Sequence, residues 1–431
     1  MTDTAIPAQQ SWTAPRASTE LRSWVHLPGS KSQMARALVL AATADSPSRI
    51  IDPLYSRDSL LMVRALKALG AGIDTSDKAA WDVTAADFRG DIEVDCGLSG
   101  TVMRFVPPLA ALAKGPVYFD GDPHARTRPM SGVITALRDL GIIVDDHAQS
   151  ALPFTVHGQG KVAGGSLTVD ASQTSQLISG LLLAAPNFTH GIDIRHVGPP
   201  VPSAPYLEMA SHMLRQAGVT VRATEDRWTV EPGPVNGRVW AIEPDLQNAA
   251  PFLAAPLVAG GSVTISNWPR DTTQPGARMV DIVAAMGADV HLEADQLTVT
   301  GGSDIAGLDI DLSDASELAP TLAALFALAT EPSRIRGVAH IRGHETDRIA
   351  ALAKELTKAG AQVEETEDGL IINPRPLRPT IFETYADHRI AHAASVLGLA
   401  SGTIELSDVA CTSKTMPEFV EVWENMLGDK S

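Results

Sequence analysis

The chain has 431 residues, 44% of them hydrophobic, which is more than one ordinary core needs and points to a globular protein of two domains. Thirty-four Lys and Arg against 51 Asp and Glu give a net charge of −17, which argues against nonspecific binding to nucleic acid or an anionic membrane. Two cysteines, Cys96 and Cys411, with no CxxC spacing, give neither a disulfide framework nor a zinc site, and suit a reducing cytoplasm.

Residues 1–20 have no apolar run of signal-peptide length, and their Thr, Pro, Gln and Ala content predicts a flexible N-terminal tail. No later segment is apolar for long enough to span a bilayer. Beyond the tail a repeat of about seventy residues dominates. Its first mark is a helix end, a glycine and an alternating strand: "ALKALGAGI", "ALRDLGIIV", "MLRQAGVTV", "IVAAMGADV" and "LTKAGAQV", with a sixth end in "VWENMLG". The glycines, Gly70, Gly141, Gly218, Gly287, Gly360 and Gly428, suit the left-handed position after a helix.

A second series runs in step with the first. "GSKSQMARALVLAA", "SGTVMRFVPPLAALA", "SQTSQLISGLLLAAP", "DLQNAAPFLAAPLVAGG", "SDASELAPTLAALFALA" and "ADHRIAHAASVLGLA" each open on polar residues and continue as a helix apolar all round. Such helices are buried. Six units, each with one buried and one surface helix, predict an α/β chain of two similar three-repeat domains, dividing near Arg238 to Glu243. The first domain is placed at 29–240, and the second at 241–431 with 21–28.

If the buried helices run in one direction, their N-termini share a face, and unpaired N–H groups there favour anions. The same polar starts also serve as plain caps. At or near them stand six permanent cations in an acidic chain: Lys31, Arg36, Arg128, Arg348, Arg389 and Lys414. With them stand Ser32, Thr174, Ser175, Gln176 and His388. Arginine suits a bidentate grip on carboxylate or phosphate, and lysine acts as a point charge. Two carboxylates accompany them, Asp314 at the start of the fifth buried helix and Glu345 beside Arg348; each reads as an acid or base, or as a helix-start residue.

Known motifs fail by spelling. "GSKS" lacks the GxxxxGK[ST] frame of a nucleotide loop, "HETDR" has Arg348 where HExxH needs histidine, and no GxGxxG opens a strand–helix unit. Neither cysteine has a visible catalytic partner, and both read as small buried side chains.

"LPGSKS" with Arg36, "SGTVMR", "TRPM", "SQTSQ", "APY", "ETDR", "ADHR" and "SKT", spread from Leu27 to Thr415, together resemble the 5-enolpyruvylshikimate-3-phosphate synthase family. The resemblance implies two domains, each of three βαβαββ repeats around buried parallel helices (an inside-out α/β barrel), with the active site in the cleft between them. It implies transfer of the enolpyruvyl group of phosphoenolpyruvate to the 5-hydroxyl of shikimate 3-phosphate. No metal, redox or other cofactor is implied. The substrates are the only partners expected, for a cytoplasmic monomer without nucleic acid or membrane contacts.

Carried over by motif, the catalytic residues are Asp314 as base at the hydroxyl, Glu345 with Lys31 for proton transfer at phosphoenolpyruvate, and His388 as a positioning group. Lys31, Arg128 and Lys414 meet the phosphate of phosphoenolpyruvate and Arg348 and Arg389 its carboxylate, with Gly100 and Gln176 lining that site. Shikimate 3-phosphate falls to Lys31, Ser32, Arg36, Thr174, Ser175, Gln176, Ser203, Tyr206, Asp314, His340 and His344. Three residues depart from the usual pattern: His344 stands where lysine is common, His340 where asparagine is, and Thr174 where serine is. Histidine at 344 replaces a fixed charge with one that titrates near neutrality. Phe105 stands where many members carry proline. The sister transferase acting on UDP-N-acetylglucosamine is disfavoured, because its catalytic cysteine is missing from "GDPHARTRP". A noncatalytic anion-binding protein of the same fold would need neither Asp314 nor Glu345.

Overall fold

The computed structural model describes residues 8–85 and 87–428, which form two compact units. One is Gly29–Ile242; the other joins the described residues up to 28 with those from 243 onward. The first unit carries helices α1 (Lys31–Ala42), α2 (Arg57–Leu69), α3 (Gly100–Ala110), α4 (Ser131–Asp139), α5 (Gln176–Ala184) and α6 (Pro205–Gln216). The second carries α7 (Leu246–Ala259), α8 (Met279–Ala285), α9 (Ala319–Ala327), α10 (Arg348–Lys358), α11 (His388–Ser401) and α12 (Phe419–Leu427).

The odd-numbered helices are the apolar ones, and they form the cores: every residue of α3 and α9 is buried. Within the first unit α5 packs on α1 and α3, and within the second α7, α9 and α11 pack on one another. The closest approach is at Gly180 of α5, where a Cβ would lie 2.3 Å from the Arg104 carbonyl of α3. No larger residue fits there. The even-numbered helices are amphipathic, and each ends one or two residues before a glycine of the repeat, all six with positive φ.

Each repeat builds one small sheet. In the second, Ile92–Asp95 pairs in parallel with Lys114–Asp120 across α3, and Phe154–Gln159 and Ile143–Asp145 close the sheet antiparallel. The first repeat of each unit takes its opening strand from elsewhere in the chain. Val239–Ala241 pairs with Ser48–Ile51 of the first unit, while Leu21–Val25 pairs with Gly261–Ile265 of the second. The expected boundary after residue 240 therefore cuts a strand. Ala241 pairs with Ile51 and the Ile242 amide donates to the Ile51 carbonyl at 3.1 Å, so the unit runs to Ile242.

The expectation of a flexible tail over residues 1–20 needs correction from residue 8 onward; residues 1–7 lie outside the described residues. Trp12–Thr13 pairs antiparallel with Ile404–Leu406, and the Trp12 indole donates to Glu424 at 3.0 Å. Ala14 is fully buried against Gly398 of α11, where a Cβ would come within 2.2 Å of the Ala14 methyl. The sixth repeat has only the parallel strands Thr380–Phe382 and Ile404–Leu406 among the described residues, and the N-terminal strand covers its open edge.

Candidate active site

Side-chain caps hold four of the buried helix starts. Ser30, Ser99, Asp245 and Asp387 accept from first-turn amides of α1, α3, α7 and α11, and at α5 Thr174 Oγ1 accepts from the Gln176 amide at 3.2 Å. The fifth differs from expectation. α9 begins at Ala319, with Pro320 in its first turn and a 3₁₀ turn, Ser316–Leu318, ahead of it, so Asp314 lies upstream of the helix and does not cap it.

In the first unit the predicted residues gather in two groups. Around Gly100, a Cβ would lie 3.0 Å from Gln176 Oε1, 3.2 Å from Arg128 Nη2 and 3.3 Å from Arg104 Nη1. A side chain at this position would be tight against all three, and glycine leaves them room. Arg104, the arginine of "SGTVMR", stands four residues along α3 from Gly100 and joins this group beyond the residues expected there; its Nη1 also donates to the Gly100 carbonyl at 3.3 Å. Arg128 is buried, and its Nη1 donates to the Leu98 carbonyl at 3.3 Å.

The second group surrounds Arg36, which is 2% exposed. It donates to the Ser32 carbonyl (2.9 Å), Ser179 Oγ (3.1 Å) and the Tyr206 carbonyl (3.0 Å), and its guanidinium lies 5.2 Å from the Phe105 ring centre. Phe105 is thus a platform for Arg36. Burial lowers the Arg36 pKa to about 10. Among the described residues neither Arg36 nor Arg128 pairs with a carboxylate. Lys31 Nζ is 3.8 Å from Asp58; Ser175 and Ser203 are buried, the latter with φ 53° just before α6, whose second residue is Tyr206.

The second unit is built differently. Arg348, fully buried, donates from Nε and Nη2 to Asp387 (2.7 and 3.1 Å) and from Nη2 to Glu345 (3.0 Å), and its Nη1 lies 3.2 Å from Glu317. Glu345 in turn accepts from Lys414 Nζ at 2.6 Å. Arg389 donates from Nε to Glu317 (3.2 Å) and from Nη1 to Asn248 (3.0 Å). His344 Nδ1 lies 3.3 Å from Glu317 and 3.2 Å from Arg348, and His340 Nε2 is 2.8 Å from Ser316 Oγ.

Burial alone would raise the Glu317 pKa and lower that of Arg348, but their opposite charges prevail. Arg348, His344 and Arg389 hold Glu317 well below the carboxylate range, while Asp387, Glu317 and Glu345 hold Arg348 firmly charged. His388, 1% exposed, opens α11, which the chain enters through two left-handed residues, Tyr385 (φ 54°) and Ala386 (φ 53°). Tyr385 Oη anchors that turn by donating to the buried Glu355 at 2.7 Å.

Asp314 is not in this network. Its carboxylate pairs with Arg278 and its side chain is 46% exposed. Sequence reasoning missed Glu317, Asp387 and Arg278 as participants. Asp387 was in view as part of "ADHR"; nothing local marks Glu317 or Arg278, because their partners are distant in the chain: Glu317 meets His344 and Arg348 from the far end of its own repeat and Arg389 from the next, and Arg278 meets Asp314 of the next. Burial pushes both cysteine thiols up, consistent with inert side chains. Among the described residues no His, Cys, Asp and Glu cluster is placed to hold a metal ion, and no helix is long and apolar enough to cross a membrane.

Two units of repeated parallel-strand and buried-helix modules, each presenting buried cations, define an enolpyruvyl transferase fold. Solved structures agree: EPSP synthase from Acinetobacter baumannii superimposes with a TM-score of 0.82 at 22% identity, covering 97% of this chain and 98% of that one. The enolpyruvyl transferase NikO from Streptomyces tendae gives 0.72 at 19% identity, with 96% of each chain covered. The family model for EPSP synthase (3-phosphoshikimate 1-carboxyvinyltransferase) matches residues 15–423. A 3-phosphoshikimate 1-carboxyvinyltransferase from Kocuria rhizophila is 50% identical over 97% of both chains. The chain belongs to the EPSP synthase family.

Proposed function

We infer that the chain transfers the enolpyruvyl group of phosphoenolpyruvate to the 5-hydroxyl of shikimate 3-phosphate, releasing phosphate, as a step of aromatic amino acid biosynthesis. The observation that carries this is the 50% identity to a 3-phosphoshikimate 1-carboxyvinyltransferase over 97% of both chains. The reaction proceeds by addition and elimination. The hydroxyl oxygen bonds to C2 of phosphoenolpyruvate while C3 gains a proton; the tetrahedral adduct then loses phosphate from C2 and a proton from C3.

The residue roles are those the family resemblance implies. In the first unit, Arg128 and Lys31 take the phosphate of phosphoenolpyruvate beside Gly100 and Gln176, and the lack of a carboxylate on Arg128 supports this. Ser32, Arg36, Thr174, Ser175, Ser203 and Tyr206 take shikimate 3-phosphate, with Gln176 and Lys31 shared between substrates. In the second unit Lys414 also serves the phosphate, and Arg348 and Arg389 take the carboxylate. Glu345, bonded to Lys414 and Arg348, and Lys31 serve proton transfer at C3 of phosphoenolpyruvate. Asp314 accepts the hydroxyl proton once Arg278 yields it, His388 positions the reacting groups, and His340 and His344 contact shikimate 3-phosphate. The same reading has the enzyme act as a cytoplasmic monomer with small molecules as its only partners.

Purified protein mixed with both substrates is expected to release phosphate only when both are present. Release with UDP-N-acetylglucosamine instead of shikimate 3-phosphate, or no release at all from folded protein, would refute the assignment.

A further inference from the structure

We propose that Glu317 is an internal competitor for phosphoenolpyruvate: in the ligand-free protein its carboxylate occupies the arginine donors that the substrate carboxylate needs. The proposal rests on the roles given above to Arg348 and Arg389. Its physical basis is the allocation of donors within the second unit. Asp387 and Glu345 take Nε and Nη2 of Arg348, and Asn248 takes Nη1 of Arg389. Glu317 Oε2 sits 3.2 Å from Arg348 Nη1, which His344 Nδ1 also approaches at 3.2 Å, and 3.2 Å from Arg389 Nε.

A single oxygen bridging two guanidinium groups is the contact a bound substrate carboxylate would make. Two carboxylates cannot share those donors without repulsion, so the incoming one displaces Glu317. The residue is placed to yield. It lies in the short 3₁₀ turn Ser316–Leu318, and its side chain is 20% exposed, whereas Arg348 and Asp387 are fully buried. Arg348 remains paired with Asp387 and Glu345 when Glu317 leaves. Apparent affinity then falls by the fraction of molecules in which Glu317 has moved away, and a fraction of about one tenth weakens binding about tenfold.

The test titrates phosphoenolpyruvate alone into wild-type protein and Glu317→Gln by calorimetry. The variant keeps the shape and hydrogen-bonding capacity but not the charge, and is expected to bind about tenfold more tightly. Glu317→Asp, whose shorter side chain draws the charge back from Arg389, is expected to fall between the two and decides the matter if the glutamine variant does not fold. Equal or weaker binding in the variants overturns the proposal and makes Glu317 a support that orients the arginines. Because binding is read instead of turnover, a wild type that binds phosphoenolpyruvate but releases no phosphate breaks the assigned reaction and leaves this comparison standing. Absence of binding in all three proteins overturns the proposal.

Discussion

The two units share a fold but hold their cations in opposite ways. In the first, Arg36 and Arg128 are buried among hydroxyls, carbonyls and a phenyl ring, with no carboxylate partner among the described residues. In the second, Arg348, Arg389 and Lys414 are laced to Glu317, Glu345 and Asp387. A buried cation without a counter-ion costs stability, and an anionic ligand relieves that cost. A neutralised network instead fixes geometry and supplies proton-bearing groups. On the proposed roles, the two buried arginines of the first unit gain a counter-ion from a bound anion, whereas the cations of the second already have theirs.

The sharpest way to break this contrast is to delete one arginine from each unit. Arg348→Ala leaves Asp387 buried without its main counter-ion, Glu345 keeping only Lys414, and is expected to destabilise the protein by about 3–5 kcal/mol. Arg128→Ala strands no carboxylate, so it should cost no more than about 1 kcal/mol. It should still weaken phosphoenolpyruvate binding about tenfold to a hundredfold, the worth of a hydrogen bond to a charged group. Urea unfolding of both variants, with a binding titration of the second, checks the pair. Equal destabilisation would mean that the two networks do not differ in kind.

Asp314 sharpens the comparison, since it belongs to the second unit yet stands outside its network, tied to Arg278. On the proposed role of Asp314 as base at the hydroxyl, Asp314→Asn should lower kcat about a hundredfold to ten-thousandfold. Neither KM should move by more than a few fold, because the lost contribution lies in the transition state. Steady-state kinetics with each substrate varied in turn decides this. A large rise in the shikimate 3-phosphate KM with kcat retained would make Asp314 a binding group only.

What the sequence makes legible is whatever repeats locally. Helix faces, capping residues and the glycines after the surface helices follow from period and backbone conformation, so six modules can be read without a structure. The start of α9 resisted, because Pro320 and the preceding 3₁₀ turn move it past Asp314. The strand at Trp12–Thr13 resisted too; two residues carry no alternation, and only the open edge at Ile404–Leu406 gives them a place. Within the site the cations were visible as residues out of keeping with an acidic chain. Their compensation was not: Glu317 lies in an ordinary helix-start sequence, and its contacts with His344 and Arg348 exist only once its own repeat closes on itself, that with Arg389 only once the next repeat packs on it.

The smallest expected effect concerns acid stability, and it belongs to the second unit. His340 is half-buried, with Nε2 against Ser316 Oγ; burial, reinforced by the nearby charges of His344 and Arg348, lowers its pKa to about 4 from an ordinary 6.5. Between those values the unfolded chain binds a proton there that the folded protein refuses. Stability on this account is fully present above about pH 6.5, and is lost progressively as pH falls toward about 4. His340→Gln keeps a polar group for Ser316 but removes the titration. Its unfolding free energy, measured by urea at steps from pH 7 to pH 4.5, should therefore decline less steeply than that of the wild type. Parallel curves would show that His340 accepts its proton in the folded state, and that the second unit's carboxylates, Glu317 foremost, outweigh burial at this position as they do at Arg348.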